Sequence, residues 1–237
     1  MKILVLESSG LVASVAVVTE EKLIGEYTTN FKKTHSQTLL PMMDTLLKMI
    51  GIPVQEMDAI AVSGGPGSFT GLRIGSATAK GLGLALSIPI ISVPTVDAIA
   101  YNLCGTDAVV CPLMDARRNQ TYTGLYTFDG DQMKCISGQK AVMLGEIIDE
   151  INQLGRKVIF LGDGVPVFKP YIEEHIQVPH SYAPIHLTQQ RAGVLGALAL
   201  QYYHEGKYES AAEHQPDYLR LSQAERELAA KKGQEKA

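Results

Sequence analysis

Cysteine is scarce in this 237-residue sequence, and long apolar runs are absent. Cys104, Cys111 and Cys135 are too far apart to form a Cys-x-x-Cys metal or redox pair, and an odd number of thiols cannot all pair with one another. The longest uncharged segment, residues 81–96, contains two prolines and is shorter than the roughly 20 residues that a membrane-spanning helix needs. We therefore expect a cytoplasmic protein that works in a reducing compartment and has no membrane partner.

Basic charge is also limited. The chain carries 21 Lys and Arg against 25 Asp and Glu, which gives a formal net charge of −4. A broad basic surface, of the kind that releases counterions from a nucleic acid backbone, is therefore not expected. If RNA is involved in the function, we expect another subunit to hold most of it.

The usual signatures of a self-sufficient catalytic or metal site are missing too. None of the six histidines lies three or four residues from another, which excludes a helical pair of metal ligands. There is no Gly-x-Ser-x-Gly nucleophile elbow. We expect no catalytic residue and no metal site in this chain.

Residues 64–75, GGPGSFTGLRIG, form the most distinctive segment of the sequence. No lysine follows a correctly spaced glycine, so this is not a Walker phosphate loop, and Thr70 stands where the dinucleotide pattern Gly-x-Gly-x-x-Gly needs its last glycine. A strand is expected before the segment and a helix after it, which leaves backbone N–H groups near Ser68–Gly71 for an anion. Close packing of the loop against its neighbours is the favoured interpretation, and an anion site is the alternative.

Three acidic residues are expected at the ends of strands: Glu7, Asp115 and Asp163. They could face a cleft between two halves of the molecule, as catalytic carboxylates do, or serve as turn and cap residues. With the glycine-rich loop they give a set of candidate contacts to a nucleotide or another anion: Glu7, Ser68, Thr70, Asp115, Arg118 and Asp163.

Apolar runs, turn residues and helical periodicity repeat along the chain. In the first half they predict three strands and a helix, then strand, helix, strand and helix: residues 2–6, 12–19, 23–29, 34–50, 59–63, 69–86, 89–93 and 95–103. A weaker copy follows, with an irregular segment at 166–187 before its last helix: residues 108–116, 121–128, 133–137, 144–154, 157–161 and 188–206. We expect two related α/β lobes, residues 1–103 and 104–221, with the 188–206 helix packing back toward the first lobe, and a charged tail at 222–237.

The first two predicted helices carry more apolar and small residues than packing on one sheet requires. On the first, Leu39, Met43, Leu46 and Ile50 form one stripe, and other Leu and Met residues form further stripes. On the second, small residues recur every four positions over residues 71–83, although glycine costs about 1 kcal/mol relative to alanine inside a helix. A helix-to-helix subunit interface explains this surplus, and complete burial within one chain is the alternative.

The chain resembles the TsaB (YeaZ) family of bacteria along nearly its whole length. The segments that carry the resemblance are residues 3–9, 35–41, 64–75, 115–118 with Tyr122, 162–165 and 218–220. The resemblance implies an actin-like ATPase (ASKHA, ribonuclease-H-like) fold of class α/β, with two related lobes that each contain a mixed sheet and helices. It also implies a small subunit of the machinery that adds threonylcarbamoyl to the adenosine beside the tRNA anticodon.

In that family the larger paralogous partner TsaD carries out the transfer, and the small ATPase TsaE joins the pair. The resemblance therefore implies a scaffold or activator that meets tRNA only through the complex and can form a homodimer when alone. TsaD holds its metal through a His-x-x-x-His helix, whereas Thr95 and Ile99 stand at the corresponding positions here, and neither offers an imidazole ligand. We expect no cofactor in this chain, with ATP or ADP at or near the interface of the complex.

The resemblance further implies that the two first-lobe helices pack against the same helices of the partner as a four-helix bundle. The expected contact residues are Leu39, Met42, Met43, Leu46, Ile50, Gly71, Gly75, Thr78, Ala79, Leu82 and Gly83. The alternative function is an ATP-using enzyme or phosphotransferase of the actin-like class, with Glu7, Asp115 and Asp163 around a metal nucleotide.

Overall fold

The computed structural model describes residues 1–31 and 34–219, which form two lobes that each contain a five-stranded sheet. The charged tail expected at 222–237 lies outside these residues. The elements of the first lobe are β1 (Lys2–Glu7), β2 (Ala13–Thr19), β3 (Leu23–Thr29), α1 (His35–Ile50), β4 (Ala59–Gly65), α2 (Phe69–Leu86), β5 (Ile90–Pro94) and α3 (Thr95–Tyr101).

The second lobe repeats this order of elements. It consists of β6 (Val109–Asp115), β7 (Gln120–Asp129), β8 (Gln132–Met143), α4 (Leu144–Leu154), β9 (Val158–Leu161), α5 (Val165–His175), β10 (His180–Tyr182) and α6 (Ala192–His204). Single turns of 3-10 helix occupy residues 54–56 and 185–187.

The two sheets have the same strand order. The first runs β3-β2-β1-β4-β5, and the second runs β8-β7-β6-β9-β10. In both, the first three strands form an antiparallel meander, and the remaining two are parallel to the first strand of the lobe. This duplication confirms the prediction of two related α/β lobes with mixed sheets.

The first sheet is covered on both faces because its central strands are apolar on both sides. In β1, Leu4 and Leu6 pack toward α1 and α2, while Ile3 and Val5 pack toward α6. A sheet whose faces are both buried needs near-continuous apolar strands rather than alternating ones. Helix α6 follows the last strand of the second lobe, yet it lies on the sheet of the first.

The second lobe receives a helix from the first in return. On its outer face the sheet packs against α4 and α5. On its inner face it packs against α3, where Val96 and Ile99 contact the cluster that contains Tyr126. Helix α3 therefore belongs to the core beneath the second-lobe sheet, and α6 belongs to the core beneath the first-lobe sheet.

The segment expected to be irregular at 166–187 contains α5 and β10, so that prediction was wrong. Its prolines discouraged a helix assignment. Pro166 lies in the first turn of α5, where the missing N–H would have no intrahelical partner. Phe168 and Ile172, four residues apart, are buried and fix the helix to the sheet.

A segment that we call the strap, residues 208–219, runs along α2 from its carboxyl end to its amino end. Glu209 exchanges both backbone hydrogen bonds with Ile90, each 2.9 Å long. Further along, Lys80 of α2 donates to the carbonyl oxygens of Ala212 and His214, at 3.1 and 2.7 Å. The strap therefore covers one flank of α2.

In the part of the chain that the structure describes, no helix is long and apolar enough to cross a membrane.

Candidate functional site

A cleft of about 450 Å³ lies between the two lobes. The loop after β1 and the start of α2 form its wall on the first lobe, and the β6–β7 turn and the loop after β9 form its wall on the second. The lining residues include Ser9, Ser68, Phe69, Asp115, Tyr122 and Asp163. Of the six candidate nucleotide or anion contacts, the structure brings Ser68, Asp115 and Asp163 together in this cleft.

The other three candidates lie elsewhere. Glu7 is only 1% exposed and is not among the lining residues, while Thr70 and Arg118 are exposed outside the cleft. One carboxylate oxygen of Glu7, Oε1, accepts hydrogen bonds from the backbone N–H and the hydroxyl of Ser9, both at 2.6 Å. Burial raises the pKa of the Glu7 carboxyl, and the Ser9 hydrogen bonds oppose that rise. Glu7 therefore shapes the loop that forms the cleft wall.

Asp115, Arg117 and Asp163 are the charged residues that line the second-lobe wall. The backbone N–H of Asp115 donates to Oδ1 of Asp163 at 3.3 Å, and Arg117 Nη1 lies 3.2 Å from Oδ2 of Asp115. Burial raises the pKa of the Asp163 carboxyl, and the neighbouring Asp115 charge acts in the same direction. The turn that carries Arg117 has left-handed backbone at three successive non-glycine residues, Arg117, Arg118 and Asn119.

The glycine-rich loop is built for close packing against the loop after β1. A Cβ at Gly71 would overlap the carbonyl oxygen of Ser8, and a Cβ at Gly67 would overlap that of Ser9. The hydroxyl of Ser8 donates to the Gly71 carbonyl at 2.9 Å, and Ser68 caps α2 by accepting from the N–H of Gly71 at 3.3 Å. These contacts explain the glycines at both positions without a bound ligand.

Phe69 and Tyr122 were not predicted as cleft residues. Phe69 is the first residue of α2, and Tyr122 lies in β7 opposite it across the cleft. The signal that could have identified Tyr122 is its position near the start of the strand that follows the Asp115 turn. The cleft is therefore more aromatic than the acidic and hydroxyl residues alone suggested.

The structure buries seven of the eleven predicted partner contacts within the chain itself. The buried residues are Leu39, Met42, Leu46, Gly71, Gly75, Ala79 and Gly83. The four apolar side chains belong to the core beneath the first sheet, and a Cβ at Gly75 or Gly83 would press against Ser8 or Ala211. These seven residues hold α1 and α2 in place and present no side chain to a partner. Met43, Ile50, Thr78 and Leu82 are half-buried.

The exposed side of α2 is formed by different residues. We call it the α2 row, and its members follow a helical spacing: Thr70, Arg73, Ala77, Gly81 and Leu84. Leu84 is 61% exposed, and nothing in the described chain lies within 4 Å of a Cβ built at Gly81. On the neighbouring α1, Leu40 and Met49 are also exposed.

The described residues contain no group of three or more His, Cys, Asp and Glu side chains arranged to hold a metal ion. Thr95 and Ile99, which stand where TsaD is expected to have its metal-binding histidines, are both fully buried. Ile99 packs in the apolar interior between the lobes. The donor chemistry at these two positions does not fit a metal site.

Two related lobes with mixed sheets of identical strand order, around a cleft, define the class of the protein as the actin-like ATPase (ASKHA) fold. Residues 22–228 match the family model described as "TsaD: tRNA N6-adenosine threonylcarbamoyltransferase". The chain is 34% identical over 228 residues to the tRNA threonylcarbamoyladenosine biosynthesis protein TsaB of Bacillus subtilis, covering 95% of this chain and 96% of the relative.

Other relatives agree with this result. The TsaB of Escherichia coli is 28% identical over 237 residues, covering 98% of this chain and 100% of the relative. The solved structure of YeaZ from Pseudomonas aeruginosa superposes with a TM-score of 0.75 at 27% identity, covering 92% of this chain and 99% of the other. The chain therefore belongs to the TsaB (YeaZ) family within the wider family that the TsaD model describes, and the resemblance noted in the sequence is confirmed.

Proposed function

We propose that this protein is a non-catalytic subunit required for forming N6-threonylcarbamoyladenosine in tRNA, and that it binds and activates the catalytic TsaD-type paralogue. The TsaB relatives of Bacillus subtilis and Escherichia coli carry the name of this biosynthesis. In the proposed complex a TsaE-type ATPase joins the pair, tRNA is met through the other subunits, and ATP or ADP sits at or near the interface. The chain pairs with itself when no partner is present, and it acts in the cytoplasm.

The observation that carries this proposal is the α2 row. Gly81 lies inside an 18-residue helix, where glycine costs about 1 kcal/mol relative to alanine, and no described residue packs against it. Its neighbours Ala77 and Leu84 are exposed as well. Small residues on an exposed helix face allow another helix to approach closely, since the interaxial distance depends on the side chains at the contact. A partner helix therefore accounts for a glycine that the monomer does not need.

The residue chemistry of the chain supports the assignment of catalysis to the partner. Thr95 and Ile99 cannot replace a pair of histidine ligands, and both are enclosed by the fold. The loop glycines have packing roles within the chain. The proposed function therefore requires no catalytic chemistry at Thr95, Ile99 or the glycine-rich loop. It requires only that α1 and α2 form a rigid pair that the partner can bind.

Binding to the purified catalytic paralogue, measured by titration calorimetry, tests the proposal. We expect Leu84→Glu and Ala77→Glu each to weaken binding on the order of 100-fold or more, because the interface would bury an unpaired carboxylate. The matched control is Val167→Glu on α5, the equivalent helix of the second lobe, since Val167 is 59% exposed. Unchanged binding by both α2 variants would contradict the proposal.

A second candidate function is an ATP-using enzyme or phosphotransferase of the actin-like class. It is favoured by the cleft, which brings Ser68, Asp115 and Asp163 together at the junction of the lobes. This function predicts nucleotide turnover by the isolated chain that is lost in Asp115→Asn. Absence of turnover in the parent chain would eliminate it.

A further inference from the structure

The strap ends in an aromatic contact at the amino end of α2. The ring of Tyr218 stacks on Phe69 with centroids 4.8 Å apart and an interplanar angle of 7°. Arg73 Nε donates a hydrogen bond to the Tyr218 hydroxyl at 3.2 Å, and its guanidinium carbon lies 5.8 Å from the centre of the same ring. Three side chains from two separate segments therefore form one cluster, which we call the strap cluster: Phe69, Arg73 and Tyr218.

The backbone holds Tyr218 firmly in this place. The N–H of the preceding residue, Asp217, donates to the Gly64 carbonyl at the end of β4 at 2.7 Å. Gly65 has φ of +116°, and a Cβ there would overlap the Asp217 carbonyl oxygen. Gln139 of β8 also donates to Asp217 Oδ2 at 3.3 Å. The position of Tyr218 is therefore set before any partner binds, which lowers the entropic cost of using it in a contact.

The outward side of the strap cluster remains open. Tyr218 is 37% exposed although one face of its ring is stacked. Arg73 is exposed, and among residues 1–31 and 34–219 it makes no ion pair. Arg73 also belongs to the α2 row, so the strap cluster is continuous with the row. One end of this surface carries the large side chains of Tyr218 and Arg73, and the other end carries Leu84. The small residues Ala77 and Gly81 lie between the two ends.

We propose that the partner-binding surface is composite: a helix of the partner crosses the α2 row at Ala77 and Gly81 and places a carboxylate side chain on the strap cluster. The carboxylate pairs with the Arg73 guanidinium, while the apolar stem of that side chain lies against the ring of Tyr218. This inference rests on the proposed function and adds a segment outside the two helices to the surface. It also names the chemistry of the partner: small residues at the crossing point and an acidic residue beyond them.

The residue types of the strap cluster suit a protein interface. Tyrosine and arginine are enriched among the residues that dominate binding energy, and preorganised aromatic rings lose little freedom on binding. A guanidinium presents a planar set of donors that matches a carboxylate. The stacked ring and the Arg73 hydrogen bond restrict both side chains to one geometry, as this role requires.

The test measures binding of the full chain to the purified catalytic paralogue by calorimetry at two salt concentrations. We expect Tyr218→Ala to weaken binding roughly 10- to 100-fold, the range of interface hot spots. Arg73→Gln should weaken binding about 5- to 10-fold at low salt and remove most of the salt dependence, because an exposed ion pair is screened. Tyr218→Phe keeps the ring and should bind within about 3-fold of the parent, since the hydrogen bond that it loses joins two residues of this chain and does not reach the partner.

Tyr171→Ala is the matched control. Tyr171 is 39% exposed and stacks on His175 with centroids 3.9 Å apart, but it lies on α5 of the second lobe. Its loss should leave binding unchanged. Tyr218→Ala could weaken binding only by destabilising the fold, which a much larger fall in melting temperature than that of Tyr171→Ala would show. In that case the binding of Arg73→Gln and its salt dependence decide whether the strap cluster contacts the partner.

The outcomes separate this inference from the function on which it rests. If Leu84→Glu abolishes binding while Tyr218→Ala and Arg73→Gln bind like the parent, the composite surface is overturned and the proposed function stands. If Leu84→Glu also binds like the parent, both are overturned. Loss of binding in Tyr218→Ala with a stable fold, together with a reduced salt dependence in Arg73→Gln, supports the inference.

Discussion

At the scale of single residues, Asp97 shows how the two lobes are joined. It lies in α3, and its two carboxylate oxygens accept hydrogen bonds from Tyr126 of β7 at 2.6 Å and from Tyr202 of α6 at 3.1 Å. Burial raises the pKa of the Asp97 carboxyl, while both tyrosine hydrogen bonds and the charge of Lys207 oppose the rise. One side chain therefore links the connecting helix, the second-lobe sheet and the last helix.

The sign of the resulting pH dependence follows from the raised pKa. The folded state holds the Asp97 proton more tightly than the unfolded chain does, so the contribution of Asp97 to stability falls as pH rises above about 3.8, its ordinary pKa, and through the raised folded value. Each tyrosine hydrogen bond favours the charged form and limits this loss.

We predict that Tyr202→Phe lowers the free energy of unfolding by about 1.5–3 kcal/mol at a pH where Asp97 is charged, the range for a hydrogen bond to a charged group. The loss should be smaller in acid, where Asp97 is protonated in both states. Urea unfolding at several pH values measures it. Tyr203→Phe on the same helix is the control, because the Tyr203 hydroxyl has no hydrogen-bond partner within the described residues. An equal loss at every pH would contradict this account.

At the scale of elements, α2 has distinct sides. Gly71 and Gly75 face Ser8, and Gly83 faces Ala211 of the strap, whereas Gly81 faces open space. Glycines that look equivalent in the sequence therefore have opposite roles. Gly71, Gly75 and Gly83 are needed because neighbouring atoms lie too close to the helix backbone for a side chain. Gly81 belongs to the exposed face of the helix.

This difference gives a matched pair of alanine substitutions. Gly71→Ala should lower stability by about 1–3 kcal/mol, because its methyl group would overlap the Ser8 carbonyl. Gly81→Ala should raise stability by about 0.5–1 kcal/mol, since alanine has the higher helix propensity and meets no atom there. Chemical denaturation of the isolated chain measures both. A similar effect in both variants would show that the two sides of α2 are not distinguished as described.

The helices show how far the sequence could predict the elements. Periodicity and end signals located α2 and α4 at 69–86 and 144–154, the bounds that the structure has. Helix α5 was missed because prolines were read as breaks, although Phe168 and Ile172 have helical spacing. Periodicity reports that a face is apolar, but it does not say which chain covers it. This is why Leu39 and Met42 were predicted to contact a partner, whereas the structure encloses them in the core.

At the scale of the whole molecule, the duplicated lobes create a cleft at the place where their strands end. Asp115 and Asp163 could be predicted to lie together because the carboxyl ends of parallel strands meet at one edge of a sheet. The positions of Phe69 and Tyr122 in the cleft could not be predicted, because they depend on how one lobe is oriented against the other. The strap along α2 was not predicted either, because its contacts join residues far apart in the sequence.

In the proposed function, the molecule acts through the exposed side of α2 and not through chemistry in its own cleft. Reconstituted tRNA threonylcarbamoylation with the purified catalytic paralogue and ATPase tests it most directly, with parent chain, Leu84→Glu and Asp115→Asn compared at equal concentration. The account predicts that Asp115→Asn supports modification at close to the parent rate and that Leu84→Glu reduces it to the rate without this chain. Full activity with Leu84→Glu, together with loss in Asp115→Asn, would contradict it.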